Sequence, residues 1–195
     1  MEIGILGLQG DFAKHRDLVE RLGLNPRVVR YPAELDQIQG LVIPGGESTT
    51  MTKLFEAMGF HAPLREFAAS YPILGTCAGL IMMGRAGVDP RVKALDILDV
   101  SVARNAFGRQ VHSFVDSLEV VTGNGFEKIP ATFIRAPQIL AVGPTVTVLA
   151  SFAGQPVAVR QGRHLGLTFH PELNDISLFH RMAFLPDSPV HSGSE

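Results

Sequence analysis

The segment Tyr71-Pro72-Ile73-Leu74-Gly75-Thr76-Cys77-Ala78-Gly79 runs from a short apolar sequence into the only cysteine of the chain. Glycine stands two residues before and two residues after that cysteine. This spacing is typical of a sharp strand-to-helix turn, in which small neighbours let the backbone bend and expose one reactive side chain. It predicts a strand that ends at Cys77 and a helix that begins near Ala78, whose positive end would favour the thiolate. Cys77 is therefore a candidate nucleophile, and a buried structural thiol is the alternative.

The residues before this segment alternate between apolar strands and amphipathic helices. The predicted strands cover residues 2–8, 27–30, 40–43 and 73–74, and the predicted helices cover residues 11–22, 50–58 and 63–70. Asp11 is expected to cap the first helix and Gly23 to end it. Because the strands are apolar without alternation, both of their faces are expected to be buried. The pattern predicts an α/β fold of three layers, with a mostly parallel central sheet and helices on both faces.

The second half of the chain is richer in strands. Strands are predicted at residues 100–103, 114–121, 132–134, 146–150, 157–160 and 165–168, followed by a helix at 177–184. They predict additional antiparallel strands beside the parallel sheet. The 195 residues fit one domain, residues 1–185, and the Pro-, Ser- and Gly-rich residues 186–195 are expected to form a flexible tail.

A histidine and a carboxylate lie two residues apart in Thr168-Phe169-His170-Pro171-Glu172. In an extended segment their side chains would point to the same side, so Glu172 is expected to orient the imidazole of His170. The alternative is a solvated surface position for both residues. That interpretation is given to the remaining histidines, His15, His61, His112, His164, His180 and His191. Together with Cys77 the pair supplies a nucleophile, a base and an orienting acid for acyl transfer through a thioester.

The segment Pro44-Gly45-Gly46-Glu47-Ser48 follows the third predicted strand. One interpretation is a plain turn in which Ser48 or Thr49 caps the next helix. The functional interpretation is that the Gly46 N–H and the Ala78 N–H bind the oxyanion of a tetrahedral intermediate. Open α/β sheets bind ligands beyond the carboxyl ends of their strands, so this loop is expected to meet the cysteine and the histidine in one crevice.

Composition and spacing argue against several other classes of function. The 17 basic and 19 acidic residues give a net charge of -2 without a basic stripe, so nucleic acid is not an expected partner. No apolar run approaches the ~20 residues of a membrane span, and no secretion signal is expected. A single cysteine fits a reducing cytoplasm. No cofactor or metal is expected, because Gly4, Gly7 and Gly10 lack dinucleotide-loop spacing and no ligand set is apparent.

Motifs along the chain resemble a known family. They are LQGDF at residues 8–12, PGGEST at 44–49, GTCAGLI at 75–81, RNAFGRQ at 104–110, FIRAP at 133–137 and FHPEL at 169–173. Together they resemble the class I, or triad-type, glutamine amidotransferases, and within them the glutaminase subunits of pyridoxal 5'-phosphate synthase. GTCAG and HPE mark the wider superfamily, whereas PGGEST, RNAFGRQ and FIRAP are more specific. The resemblance implies the flavodoxin-like fold of that family.

The resemblance also implies roles for individual residues. Cys77, His170 and Glu172 would form a catalytic triad. Glutamine would be contacted by Gly46, Glu47, Ser48, Arg104, Ile134 and Arg135. From the residues alone both arginines would be solvated surface residues, and which one holds the substrate carboxylate stays open. Gly166 stands where alanine is usual in the family.

The implied activity is hydrolysis of L-glutamine to L-glutamate and ammonia in the cytoplasm, without a cofactor. The ammonia would pass to a barrel-fold synthase subunit that makes pyridoxal 5'-phosphate, in a heteromeric complex whose interface is expected to include residues 9–11. Two other functions stay open. One is a stand-alone hydrolase with the same Cys-His-Glu set, and the other is a non-catalytic regulatory module that kept the fold.

Overall fold

The structure is a computed structural model that describes residues 1–104, 113–123 and 125–185. Its strands are β1 (Glu2–Leu6), β2 (Asn25–Val29), β3 (Leu41–Ile43), β4 (Ile73–Thr76), β5 (Val100–Ala103), β6 (Ser113–Thr122), β7 (Gly125–Ile134), β8 (Gln138–Val142), β9 (Thr147–Phe152), β10 (Gln155–Gln161) and β11 (His164–Leu167). Its helices are α1 (Phe12–Arg21), α2 (Ser48–Met58), α3 (His61–Ser70), α4 (Ala78–Met83) and α5 (Leu178–Phe184), with 3-10 helices at Pro32–Gln37 and Pro171–Asn174. The predicted tail and residues 105–110 of the RNAFGRQ motif lie outside the described residues.

Among the described residues, seven strands form the central sheet in the order β2-β1-β3-β4-β11-β10-β9. The strands from β2 to β11 in this order are parallel, whereas β10 is antiparallel to both of its neighbours. The prediction of a mostly parallel sheet is confirmed. Because β3, β4 and β11 are adjacent and parallel, the residues that follow them meet at one edge of the sheet.

Helices cover both faces of this sheet, as predicted. On one face Phe55 of α2 and Leu80 of α4 are part of a buried cluster that includes Ile43. On the other face Phe179 of α5 is part of a second cluster, which includes Val42. Consecutive residues of β3 thus enter different cores, which explains why this strand is apolar without alternation.

Two antiparallel pairs lie beside the main sheet. β5 pairs with β8, and β6 pairs with β7 in a hairpin. The hairpin is tied to the sheet edge through Thr132 of β7, whose carbonyl oxygen accepts a hydrogen bond from the His170 N–H at 2.9 Å. The additional antiparallel strands are therefore confirmed, and one of them contacts the segment that carries the candidate base.

Some strands and one helix cap differ from the sequence-based expectation. The first part of β7 and all of β8 were not predicted, because Gly125, an internal Pro130 and mostly exposed positions hide the strand pattern. Helix α2 is capped by Glu47, whose carboxylate accepts from the Thr49 and Thr50 N–H groups, so the cap at Ser48 or Thr49 that the plain-turn interpretation assigned is wrong. The Asp11 cap of α1 is confirmed by its bond from the Lys14 N–H.

In the part of the chain that the structure describes, no helix has the length and apolar character needed to cross a membrane.

The turn after β4 depends on close backbone contact with β3. A Cβ atom at Gly79 would overlap the carbonyl oxygen of Ile43, which is backbone and cannot rotate away. At Gly166 in β11 a Cβ atom would meet the ends of two flexible side chains, Leu80 at 2.5 Å and Leu98 at 2.9 Å. The same added methyl group therefore faces a rigid neighbour at one position and mobile neighbours at the other.

We expect Gly79→Ala to lower the free energy of unfolding by about 2 kcal/mol or more, since overpacking against backbone forces the helix away from the strand. Gly166→Ala is the matched control and should cost less, because the two leucines can change rotamer. Urea denaturation of both variants measures the difference. An equal or smaller cost at Gly79 would contradict this account of the turn.

Candidate active site

Cys77 lies at the turn between β4 and α4, as predicted. Its backbone has φ 50° and ψ −106°, a conformation that costs a residue with a side chain about 1–3 kcal/mol. Its N–H donates to the carbonyl oxygen of Leu167 in β11 at 2.8 Å, which holds the turn against the neighbouring strand. Cys77 is 7% exposed. A structural thiol needs no strained backbone, so this geometry favours the nucleophile interpretation.

His170 and Glu172 lie just beyond the end of β11. The two atoms His170 Nδ1 and Glu172 Oε1 are 2.6 Å apart. Because a carboxylate only accepts, Nδ1 carries the proton and donates, which leaves Nε2 for the thiol of Cys77. The expected extended conformation is wrong, since a 3-10 helix begins at Pro171. The two side chains are nevertheless paired as predicted.

The pairing controls the charge of His170. Burial alone would lower the pKa of His170, but hydrogen bonds with Cys77 and Glu172 and the charges of both raise that pKa to about 10. The imidazole is therefore poised to hold the proton of the thiol. A thiolate beside an imidazolium is the reactive form of a cysteine nucleophile.

Glu172 is almost completely buried. Burial would raise its pKa, but the close contact with His15 and the hydrogen bond from His170 hold that pKa well below the usual range of a carboxyl group. Glu172 is therefore a carboxylate at neutral pH, and it can stabilise positive charge on His170.

The prediction that His15 and His180 are surface residues is wrong. Both side chains are fully buried, and His15 lies directly behind Glu172. No local sequence pattern marks them, because their contacts join α1, α5 and the 3-10 helix at Pro171–Asn174. His61 and His164 are partly exposed, and the positions of His112 and His191 lie outside the described residues.

The loop after β3 packs against His170. A Cβ atom at Gly45 would overlap Cε1 of the His170 ring, so the imidazole lies directly on the loop backbone. Gly46 has φ +146°, a conformation that side chains rarely adopt. The Gln9 side chain donates to the Glu47 carbonyl oxygen at 2.8 Å. The loop is thus held between the base and the turn that precedes α1.

One cavity of about 510 Å³ brings the predicted residues together. Its lining contains Gly10, Asp11, Gly45, Gly46, Glu47, Ser48, Cys77, Ile81, Arg104, Ile134, Arg135, His170, Glu172 and Leu173. Of the predicted site residues only Ala78 is not in this lining, and it directly follows Cys77 as the first residue of α4. The crevice expected from the topology is present.

Arg104 is clamped at the side of this cavity. Its Nη2 donates to Glu47 Oε1 at 3.0 Å, and its Nη1 lies 3.6 Å from Asp89 Oδ2. Hydrogen bonds from Arg91 lower the pKa of Asp89 to about 2, and hydrogen bonds led by the Thr49 hydroxyl lower that of Glu47 to about 2. Both carboxylates therefore stay ionised at neutral pH. Asp89 lies in an irregular segment without any local pattern that would select it, so its contact with Arg104 was not predicted.

Arg135, the second arginine of the cavity lining, differs from Arg104 in its surroundings. Arg135 is exposed and has φ 41°, and among the described residues it forms no ion pair. Within those residues there is also no cluster of three His, Cys, Asp or Glu side chains that could hold a metal ion.

We expect Glu172→Gln to lower the pKa of His170 from about 10 by roughly one unit or more, because an amide removes the negative charge that stabilises the imidazolium. The sign is that the variant loses its imidazole proton at lower pH than the parent protein. NMR titration of the ring resonances measures it. Glu127→Gln, at a surface pair with Arg181, is the control, and identical His170 titrations in all three proteins would refute the coupling.

Comparisons with known proteins agree with this geometry. The profile of the SNO glutamine amidotransferase family matches residues 5–185. The chain is 44% identical over 182 residues to pyridoxal 5'-phosphate synthase subunit PdxT of Thermosipho africanus, covering 92% of this chain and 95% of that protein. It is 47% identical over 186 residues to the PdxT subunit of Bacillus licheniformis, covering 95% and 92%.

A solved structure described as a glutamine amidotransferase superposes with a TM-score of 0.85 at 41% sequence identity. The match covers 93% of this chain and 96% of that one. Family profile, sequence identity and fold therefore agree over almost the whole length. The chain belongs to the SNO glutamine amidotransferase family.

Proposed function

We propose that this chain is the glutaminase subunit of a pyridoxal 5'-phosphate synthase. It hydrolyses L-glutamine to L-glutamate and ammonia and delivers the ammonia to a partner synthase subunit in the cytoplasm. The observation that carries the proposal is one cavity lined by both a strained cysteine and a histidine of raised pKa, in a chain whose relatives are named as PdxT subunits.

The first half of the reaction forms a thioester. The Cys77 thiolate attacks the side-chain amide carbon of glutamine, and the carbonyl π electrons move to oxygen. When the tetrahedral intermediate collapses, the C–N bond breaks and His170 gives its proton to the departing nitrogen, which leaves as ammonia. Glu172 stabilises the imidazolium and holds the ring in the tautomer that can act at Nε2.

The second half of the reaction releases glutamate. His170 is now neutral, takes a proton from water and directs the hydroxide at the thioester carbon. Collapse of the second intermediate breaks the C–S bond, and the thiolate and the imidazolium are restored. The N–H groups of Gly46 and Ala78 are assigned to the oxyanion of both intermediates, where one such donor typically contributes about 3 kcal/mol.

Arg104 and Glu47 are assigned to the charged end of glutamine. An α-amino acid carries an ammonium and a carboxylate on one carbon, and this pair presents opposite charges 3.0 Å apart. Arg104 Nη1 is buried and, beside its 3.6 Å ion pair with Asp89, makes no hydrogen bond with the described residues, so its N–H groups can donate to a carboxylate. Asp89 keeps the guanidinium in place. Ser48, Ile134 and Arg135 complete the pocket around the substrate.

We expect Arg104→Lys to raise KM for glutamine about tenfold or more with a smaller change in kcat, because an ammonium loses the bidentate geometry. Arg135→Lys is the matched comparison and should change KM less. Steady-state glutamate release in the presence of excess synthase subunit measures both. A larger rise in KM for Arg135→Lys would show that Arg135, and not Arg104, binds the substrate carboxylate.

The experiment that tests the function compares glutamate release by the isolated chain and by the chain with its synthase subunit. We expect release to rise on complex formation, since a donor of free ammonia serves the synthase only inside a closed assembly. Cys77→Ala should lower glutamate release by about a thousandfold or more. Equal rates with and without the synthase would instead indicate the stand-alone hydrolase.

A diazoketone analogue of glutamine provides a direct chemical test. It should alkylate Cys77 once per chain, as seen by intact mass and peptide mapping, and excess glutamine should protect. A chain that resists labelling while still binding the synthase, and whose Cys77→Ala variant behaves like the parent, would be the regulatory module.

A further inference from the structure

Two buried histidines continue the line of side chains that begins at the cysteine. His15 Nδ1, on α1, lies 2.9 Å from His180 Nε2, on α5. His15 Nε2 lies 3.5 Å from Glu172 Oε2. Both imidazoles are fully buried. Burying two titratable rings is costly unless their polar atoms are used, and the reaction described above uses neither ring.

The two oxygens of Glu172 have different partners. Oε1 is bound by His170 at 2.6 Å. Oε2 is buried and has no hydrogen bond of normal geometry to the described residues. His15 Nε2, at 3.5 Å, is a long contact that a small rotation of either side chain would close. A buried carboxylate oxygen without a donor is strongly unfavourable. The contact between His15 Nε2 and Glu172 Oε2 therefore favours a proton on His15 Nε2.

We propose that His15 is a positioning residue for the triad, whose neutral Nε2–H holds the second oxygen of Glu172 while His180 Nε2–H donates to His15 Nδ1. The proposal rests on the proposed function, because the geometry it protects is that of Glu172 and His170. In this arrangement each ring is neutral with its proton on Nε2. His180 Nδ1, which has no hydrogen-bond partner among the described residues, then carries a lone pair and no stranded proton.

Neutrality of the two rings matters for His170. A cationic His15 would share the charge of Glu172 and weaken its hold on the imidazolium, whereas a neutral donor fixes the carboxylate and leaves its charge for His170. Burial lowers the pKa of His180 well below its usual value, which keeps this ring uncharged. The titratable groups that face His15 are Glu172 from the 3-10 helix and His180 from α5.

A competing arrangement uses Thr76. Its Oγ1 lies 3.4 Å from His15 Nε2, so a His15 protonated on Nδ1 could donate to His180 and accept from the hydroxyl. That arrangement would leave Glu172 Oε2 buried without any donor. Leaving an ionised oxygen unpaired costs more than leaving a hydroxyl unpaired, so the structure favours the donor to Glu172.

The decisive measurement is the proton position in the unaltered protein. Nitrogen-15 NMR of the imidazoles should show the Nε2–H tautomer for both His15 and His180 at neutral pH. A proton on Nδ1 of His15 would overturn the proposal in favour of the Thr76 arrangement. The measurement needs no substrate and no partner subunit.

The functional arm uses His15→Leu, His15→Gln and a distant control. His15→Leu should lower kcat about tenfold or more, the usual effect of losing one hydrogen bond to a charged group. It should also move the acid limb of Cys77 alkylation by iodoacetamide about one pH unit upward, because a carboxylate that is no longer held in place stabilises the His170 imidazolium, and with it the thiolate, less. His15→Gln should keep most of the parental kcat and a nearly parental alkylation profile, since its amide nitrogen replaces Nε2 as the donor to Glu172. His61→Gln, at a surface contact with Lys93, should match the parent.

The outcomes separate the two proposals. A His15→Leu protein with parental kcat and an unmoved alkylation profile refutes the positioning role. If that variant does not fold, the His15→Gln protein and the tautomers still decide. If the parent hydrolyses no glutamine even with the synthase, the proposed function fails, while the alkylation profile continues to test the role of His15.

Discussion

The parallel pairing of β4 with β11 is the constraint on which the active site depends. Leu167 lies beside Thr76 in this pairing, and the Cys77 N–H continues the ladder by donating to Leu167. Because the two strands run in the same direction, the residues that follow them emerge together at one edge. A cysteine from the first half and a histidine from the second half are thereby brought to the same cavity.

The elements around this pair act on it from different sides. Gly79 lets α4 approach β3 closely, so the strained turn at Cys77 is fixed by backbone packing. Gly45 places the loop after β3 directly against the His170 ring. The N-terminal part of α1 contributes twice, since Gly10 and Asp11 before it line the cavity and His15 within it lies behind Glu172. The site is therefore assembled from packing of main chain as much as from side-chain chemistry.

The sequence predicted those parts of the site that have a local signature. The glycines around Cys77 and the spacing of His170 and Glu172 are short patterns with a direct geometric reason, and the order of strands and helices predicted the sheet. The buried histidines were not predictable in this way, because His15 and His180 are 165 residues apart in sequence. Asp89 was not predicted either, because its contact with Arg104 has no signature in the local sequence. Its role comes from the position of Arg104, which only the folded chain supplies.

The chain contains one cysteine, and this has a consequence for oxidative damage. Peroxide converts a reactive thiolate to a sulfenic acid, which many enzymes rescue by forming a disulfide with a second cysteine nearby. Here no such resolving thiol exists anywhere in the polypeptide. Recovery of an oxidised Cys77 must therefore depend on small thiols or reductases that can enter the cavity.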